Sequence, residues 1–211
     1  MRRLIRLSLS AVAIVSAGLL LAACTITSVK PLLADSEGAT PLPDSFAFMP
    51  YERADSGDNS YVRSTDKPAT FTRDGNHYIA KNVPDSKGPI DFRFLPLGKD
   101  FLVAGIVPDS PPGIVYAFAH YDPNGVLAVS LSPGDEARDA LAAHPIPGVT
   151  VSSETDAITI ADRAGLDALA KMYQDGKLPM GKPSVAYLAK DATTKPPAKI
   201  SVSGGVWTVT P

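Results

Sequence analysis

The chain has 211 residues, with 20 lysines and arginines against 22 aspartates and glutamates, three histidines and a single cysteine. This near-neutral balance has no basic stripe, which argues against nucleic acid and against electrostatic docking on anionic lipid. One cysteine excludes an internal disulfide and a thiolate metal cluster. The length suits one domain with a sizeable core, and 20 prolines, roughly twice the usual share, divide the chain into short elements.

Residues 1–24 begin with Arg2, Arg3 and Arg6, continue with an apolar run from Leu7 to Leu20 and close on Leu21-Ala22-Ala23-Cys24. A basic start, an apolar middle and small residues at the end form an export signal. Leu-Ala-Ala-Cys resembles the lipobox of bacterial lipoproteins. The resemblance implies a signal peptide over residues 1–23, cleavage between Ala23 and Cys24, a diacylglycerol on the Cys24 sulfur and a further acyl chain on the new amino terminus. It also implies attachment to the membrane through Cys24. Thr25, standing where an Asp would retain such proteins in the inner membrane, implies an outer-membrane position facing the periplasm. Two other readings compete. Ala22-Ala23 also suits an ordinary secretory cleavage, and the absence of charge from Leu7 to Val29 is long enough for an uncleaved span. Ser8, Ser10 and Ser16 dilute that run, and it turns polar from Thr25. Cleavage would leave 188 residues with 17 basic and 22 acidic side chains, a net charge of −5. Lipidation consumes the thiol, which removes cysteine catalysis from consideration.

Residues 24–44 read as the lipidated amino terminus and a mostly flexible tether, with Pro31, Pro41 and Pro43 around Asp35-Ser36-Glu37-Gly38, the alternative being that the apolar trio Pro31-Leu32-Leu33 docks on the domain. A single β-rich domain is expected over 45–211. Phe46 and Phe48 alternate with smaller residues. Asp74-Gly75-Asn76 between Ala69–Arg73 and His77–Lys81 is a hairpin signal. Ile90, Phe92 and Phe94 alternate with Asp91 and Arg93, Phe101 to Val107 follows, and Ile114, Tyr116 and Phe118 put bulk on one face of a strand whose other face is Val115, Ala117 and Ala119. Asp122-Pro123-Asn124-Gly125 supplies a turn before Val126 to Leu131. Two helices are expected, one from Ser132-Pro133-Gly134-Asp135 to Ala143, the other capped by Asp162, with a stripe of Leu166, Leu169, Ala170 and Tyr173, ending at Gly176. Short strands lie between them, and a last pair turns at Ser203-Gly204-Gly205 and holds Trp207. The expected fold class is α+β: a strand-rich antiparallel meander or half-barrel with one or two helices packed on the sheet.

Candidate chemistry is sparse. His120 and Asp122 share a strand face, but no third ligand has recognisable spacing, so no metal and no cofactor is assigned. Ser64-x-x-Lys67 matches a nucleophile motif in letters only, because Pro68 follows and its partner motifs are missing. Asp55, Asp58 and Asn59 lack calcium-loop spacing, and Glu154 and Asp156 read as a solvated turn. His77 and His144 sit in ordinary exposed places. No catalytic residue is assigned. If the sheet curls, Phe92, Phe94, Tyr116 and Phe118 are the side chains that would line an apolar cavity.

Three functions remain. The first is a non-catalytic cell-envelope lipoprotein that binds another envelope component, such as a protein partner, or supports envelope assembly. The second is a carrier of a small apolar ligand or lipid. The third is an envelope hydrolase using the His120 and Asp122 region.

Overall fold

A computed structural model describes residues 25–54, 59–83, 86–107, 113–134, 136–152 and 157–211. The signal segment with Ala23 and Cys24 lies outside these residues, as do Asp55, Asp58, Glu154 and Asp156. Among the described residues there are fourteen strands: β1 (Ile26–Ser28), β2 (Ser45–Arg53), β3 (Ser60–Arg63), β4 (Ala69–Asp74), β5 (His77–Lys81), β6 (Ile90–Leu97), β7 (Asp100–Val107), β8 (Gly113–Asp122), β9 (Val126–Ser130), β10 (Val149–Val151), β11 (Ile158–Ile160), β12 (Ser184–Ala189), β13 (Lys199–Ser203) and β14 (Val206–Thr210). The helices are α1 (Ala137–Ala143) and α2 (Arg163–Gln174).

Eight strands close on themselves. Around the wall the order is β2-β4-β5-β6-β7-β8-β9-β12, and β12 returns to β2 with Val185 opposite Tyr51 and Ala189 opposite Ala47. Every neighbouring pair in this ring is antiparallel. At one end of the barrel the strands are joined by tight hairpins. Gly75 and Gly98 take positive φ, 61° and 64°, at the first of two loop residues, where a side chain would be strained. We call this the hairpin end. The opposite, loop end carries the longer connections, including the stretch between β9 and β12 that holds both helices.

The α+β expectation is corrected by this closure. Strand occupies 48% of the structure and helix 11%, and the barrel is closed rather than half-open. The physical reason lies in the β12 pairings. Periodicity shows that β2 and β12 are strands but carries no information that strands so far apart in sequence are hydrogen-bonded neighbours.

The wall splits near the loop end on two flanks. One edge of β2 pairs with β4 over residues 45–48, then with β3 over residues 51–53. The change-over includes Pro50, which has no N–H to offer and whose carbonyl accepts from Ser64 N–H at 3.0 Å. There β3, β13 and β14 peel away and fold over the outside, burying Tyr61, Ile200 and Trp207 against Met49, Tyr51 and Val185. On the other flank β8 exchanges β9 for β1, which runs parallel to β11 and leads into β10. This second outer layer, with α1 and α2, covers Leu102, Tyr116 and Phe118. Asp162 caps α2 by accepting from Gly165 N–H at 2.8 Å, and Leu166 and Leu169 turn its apolar face inward with no exposed surface.

Residues 25–44, expected as a flexible tether, lie on the barrel instead. Ile26 has no exposed surface and is paired on both edges, to Tyr116 and to Ile158. Leu32 and Leu33 join the α2 core, and Leu42 enters the barrel. Arg163 clamps the segment, donating to Glu37 at 2.7 Å, to Asp167 at 2.7 Å and to the Leu32 carbonyl at 3.4 Å. The Arg163 hydrogen bond, aided by Ala34 N–H, holds the Glu37 carboxyl below its usual value near 4.5. A depressed carboxyl contributes stability above its unfolded pKa and loses that contribution as pH falls through the folded one. Glu37→Gln is therefore expected to lower stability at neutral pH by about 1 kcal/mol or less, since the pair is partly solvated. In urea titrations the gap to the parent should narrow as the pH falls below about 4.5.

Candidate functional site

The lumen is the one place where the fold gathers a large apolar surface around an axis. Its lining follows the period of two. Phe46 and Phe48 of β2, Phe71 of β4, Tyr78 of β5, Phe92 and Phe94 of β6 and Phe101 of β7 face inward. They form a continuous chain of rings, with Phe46 stacked on Phe71 at 5.0 Å, Phe71 beside Phe92 at 5.4 Å, and Phe94 edge-on to Tyr78 at 5.6 Å. Opposite them stand small residues, Ala117 and Ala119 of β8 and Ala186 of β12. An eight-stranded barrel is narrow, so bulk on one wall requires little on the other.

At the hairpin end Leu42 is drawn into the barrel and pinned by Tyr78, whose hydroxyl accepts from Leu42 N–H at 3.0 Å and donates to its carbonyl at 2.7 Å. Burial pushes the Tyr78 phenol above its ordinary value, and the Leu42 contact offsets part of this. Six inward-facing side chains are only partly buried: Phe92, Val115, Val129 and Leu131 toward the loop end, and Phe101 and Tyr121 toward the hairpin end. The Phe92 ring lies over Gly105, where an added Cβ would stand 3.1 Å from the ring carbon Cε1.

The four side chains expected to line a cavity are therefore divided. Phe92 and Phe94 face the lumen, whereas Tyr116 and Phe118 face outward into the core under α2. Phe118 stacks on Tyr173 at 3.9 Å with the planes 4° apart, and Tyr116 hydroxyl lies 3.2 Å from Ser28 Oγ. Both faces of β8 are buried, so bulk alone does not identify the inner one. The small face is inside.

His120 also finds a different partner from the one its spacing suggests. Its Nδ1 lies 2.8 Å from Asp100 Oδ1, across the β7–β8 ladder, and Tyr173 donates to Asp100 Oδ2 at 3.3 Å. Asp122 instead caps its turn, accepting from Asn124 N–H at 2.8 Å. Burial first, and then the Asp100 charge, push the Tyr173 phenol up to about 12, so that it stays a donor at neutral pH. The trio bridges the barrel and α2. Among the described residues no serine, threonine or cysteine side chain hydrogen-bonds His120, so the arrangement orients an imidazole without presenting it a nucleophile. Neither Asp100 nor Tyr173 carries a signal in sequence, because they lie 20 and 53 residues from His120.

The remaining candidates have structural partners. Ser64 donates to Glu52 at 2.7 Å and accepts from Asp66 N–H at 3.2 Å in the loop after β3, not on a helix. His77 sits at the β4–β5 hairpin near Asn76 and Asp74. His144 ends α1, its N–H donating to the Ala140 carbonyl. Among the described residues no group of three or more histidines, cysteines, aspartates or glutamates is arranged to hold a metal ion. No family model matches the chain, and neither a curated protein nor a solved structure resembles it.

Proposed function

We propose that the protein is a non-catalytic, lipid-anchored component of the bacterial cell envelope whose barrel binds a small apolar ligand. The observation that supports this reading is the apolar lining of a closed wall in which Phe92, Phe101, Val115, Tyr121 and Val129 are only partly buried. Partly exposed apolar side chains inside a closed wall are a surface that an apolar guest desolvates at about 25 cal/mol per Å². The anchor rests on the lipobox-like Leu21-Ala22-Ala23-Cys24 and implies an outer-membrane position facing the periplasm.

The test uses phenylnaphthylamine, an apolar fluorophore that brightens in dry sites. The parent is expected to bind it saturably. Gly105→Leu forces a side chain into the space under Phe92 and should weaken that binding about tenfold, equal to 1.4 kcal/mol, at an overpacking cost to stability of about 1–3 kcal/mol. Equal binding in both proteins, each shown folded by circular dichroism, overturns the carrier reading.

A second reading, binding to another envelope component, is favoured by the outer β3-β13-β14 layer. Among the described residues β14 pairs only with β13, and Val206 and Val62 stand 67% and 43% exposed. An unpaired strand edge beside exposed apolar side chains can accept an added strand. Crosslinking in intact cells with a photoreactive group at Val206 would capture such a partner.

A further inference from the structure

The outer layer ends in β14, and its turn fixes which way that strand's backbone groups point. Gly204 and Gly205 join β13 to β14 with positive φ, 57° and 80°, a two-residue turn whose twist matches its strands. Such a turn makes Ser203 and Val206 a hydrogen-bonded pair, and pairs of that kind alternate along an antiparallel ladder. Val206, Thr208 and Thr210 therefore turn their backbone groups to β13, while Trp207 and Val209 turn theirs away. Two contacts agree with this parity. Val202, opposite Trp207, donates its N–H away from β14 to the Asn59 carbonyl at 2.9 Å, and the Trp207 carbonyl accepts from the Asn124 side chain at 3.3 Å. Side chains alternate with the same period. Trp207 and Val209 pack on the core of the outer layer, whereas Val206, Thr208 and Thr210 are exposed.

This edge lacks the devices that keep sheet edges apart. From Val206 to Thr210 there is no charge and no proline, and the register with β13 runs one to one. A two-fold axis sets a strand against itself, so any charge on it would meet its like. β14 carries none. The outward groups also select one register. Centred on Thr208, an antiparallel pair sets Trp207 opposite Val209 of a second copy, and every outward N–H and C=O finds a partner. Centred on Val209, Trp207 would face Pro211, which has no N–H. Centred on Trp207, Val209 would face Gly205, whose left-handed φ takes it out of the strand. The register at Thr208 also joins like faces. Thr208 meets Thr208, a stabilising cross-strand pair, Val206 meets Thr210, and Trp207 and Val209 continue the apolar inner face. Asn124 is exposed and its amide bond to Trp207 is long, and that carbonyl has a second lone pair for Val209 N–H of the other copy.

We infer that β14 is a dimerisation edge, which pairs antiparallel with β14 of a second copy of this chain about a two-fold axis at Thr208. The two outer layers then form one continuous sheet. The same edge serves the second reading above, but here its occupant is another copy, and neither the lumen nor the anchor is required. Five residues a side make a contact at the small end of protein interfaces, so the dimer is weak and concentration-dependent.

The experiment uses the full chain in detergent solution. Thr208 faces itself across the axis as a non-hydrogen-bonded pair, with Cα atoms about 4.5 Å apart, within reach of a disulfide. Thr208→Cys is therefore expected to form a covalent dimer under mild oxidation. Val206→Cys should crosslink to Thr210→Cys when the two are mixed and not to itself, because the register sets its two copies four residues apart, about 13 Å. The parent, with Cys24 as its one cysteine, and Ser203→Cys, one strand back from the edge, give the background from chance collision. Positions 203, 206, 208 and 210 are all exposed, so the core is left in place, and circular dichroism checks the fold. In sedimentation the parent should pass from one chain toward two between about 5 and about 500 μM, and Thr208→Lys, which sets two ammonium groups at the axis, should move the midpoint up about tenfold. A single chain throughout, or Thr208→Cys crosslinking no faster than Ser203→Cys, overturns the dimer. Val206→Cys joining itself as readily as Thr210→Cys overturns the pairing about Thr208. Oxidation in intact cells that joins Thr208→Cys to a different protein, with no product of twice the chain mass, overturns the self-pairing and gives the edge to another envelope component. Phenylnaphthylamine binding should be the same in Thr208→Lys as in the parent, so the lumen is read independently.

Discussion

Phe71→Ala is expected to lower stability by about 3–5 kcal/mol, the range for deleting a large buried aromatic. Phe71 is the hub of the lumen. Its ring is 5.0 Å from Phe46, 5.6 Å from Phe48 and 5.4 Å from Phe92, and it is only 8% exposed. Truncation removes three ring contacts at once and leaves a void that the closed wall cannot collapse to fill, since each strand is held on both edges. Urea unfolding followed by circular dichroism measures the loss. The same variant probes the ligand reading with the opposite sign. A void in an apolar lumen is a place for an apolar guest, so phenylnaphthylamine should recover more of the lost stability in Phe71→Ala than it adds to the parent. A loss below about 1 kcal/mol would mean that the ring chain does not carry the barrel core.

How much of this was legible in the sequence depends on the range of the interaction. Local signals translate directly. Asp74-Gly75-Asn76 turns between β4 and β5, and Asp162 caps α2 through Gly165 N–H. Each depends on residues a few positions apart, and the backbone conformations involved admit few residue types. The closure of the barrel had no such signal. It rests on β12 lying between β2 and β9, and alternation is the same whether a strand sits at an edge or in a closed wall. The same limit divided the aromatic candidates. Phe92 and Phe94 alternate with Asp91 and Arg93, so their inner face follows from polarity. β8 has apolar residues on both faces, and the bulky Tyr116 and Phe118 fill the space under α2 rather than the narrow lumen.

Ile26→Asp is expected to cost about 4 kcal/mol or more, the scale reserved for an unpaired charge in a core. Ile26 has no exposed surface, sits between β8 and β11, and packs in the cluster that includes Ile158, Leu166 and Leu169. None of those side chains can accept a carboxylate as a partner. The substitution should therefore release β1, and with it the hydrogen bond from Ile158 N–H to the Thr25 carbonyl, leaving β11 and β10 without the strand that joins them to β8. Val29→Asp, three residues along, is the internal comparison. That side chain is 84% exposed, and its replacement should change stability by less than about 0.5 kcal/mol. A flexible tether would make the two substitutions indistinguishable in a urea titration, whereas a first strand built into the outer layer separates them by several kcal/mol. Position within one short segment thus decides the cost, with Ile26 turned into the core and Val29 out toward solvent.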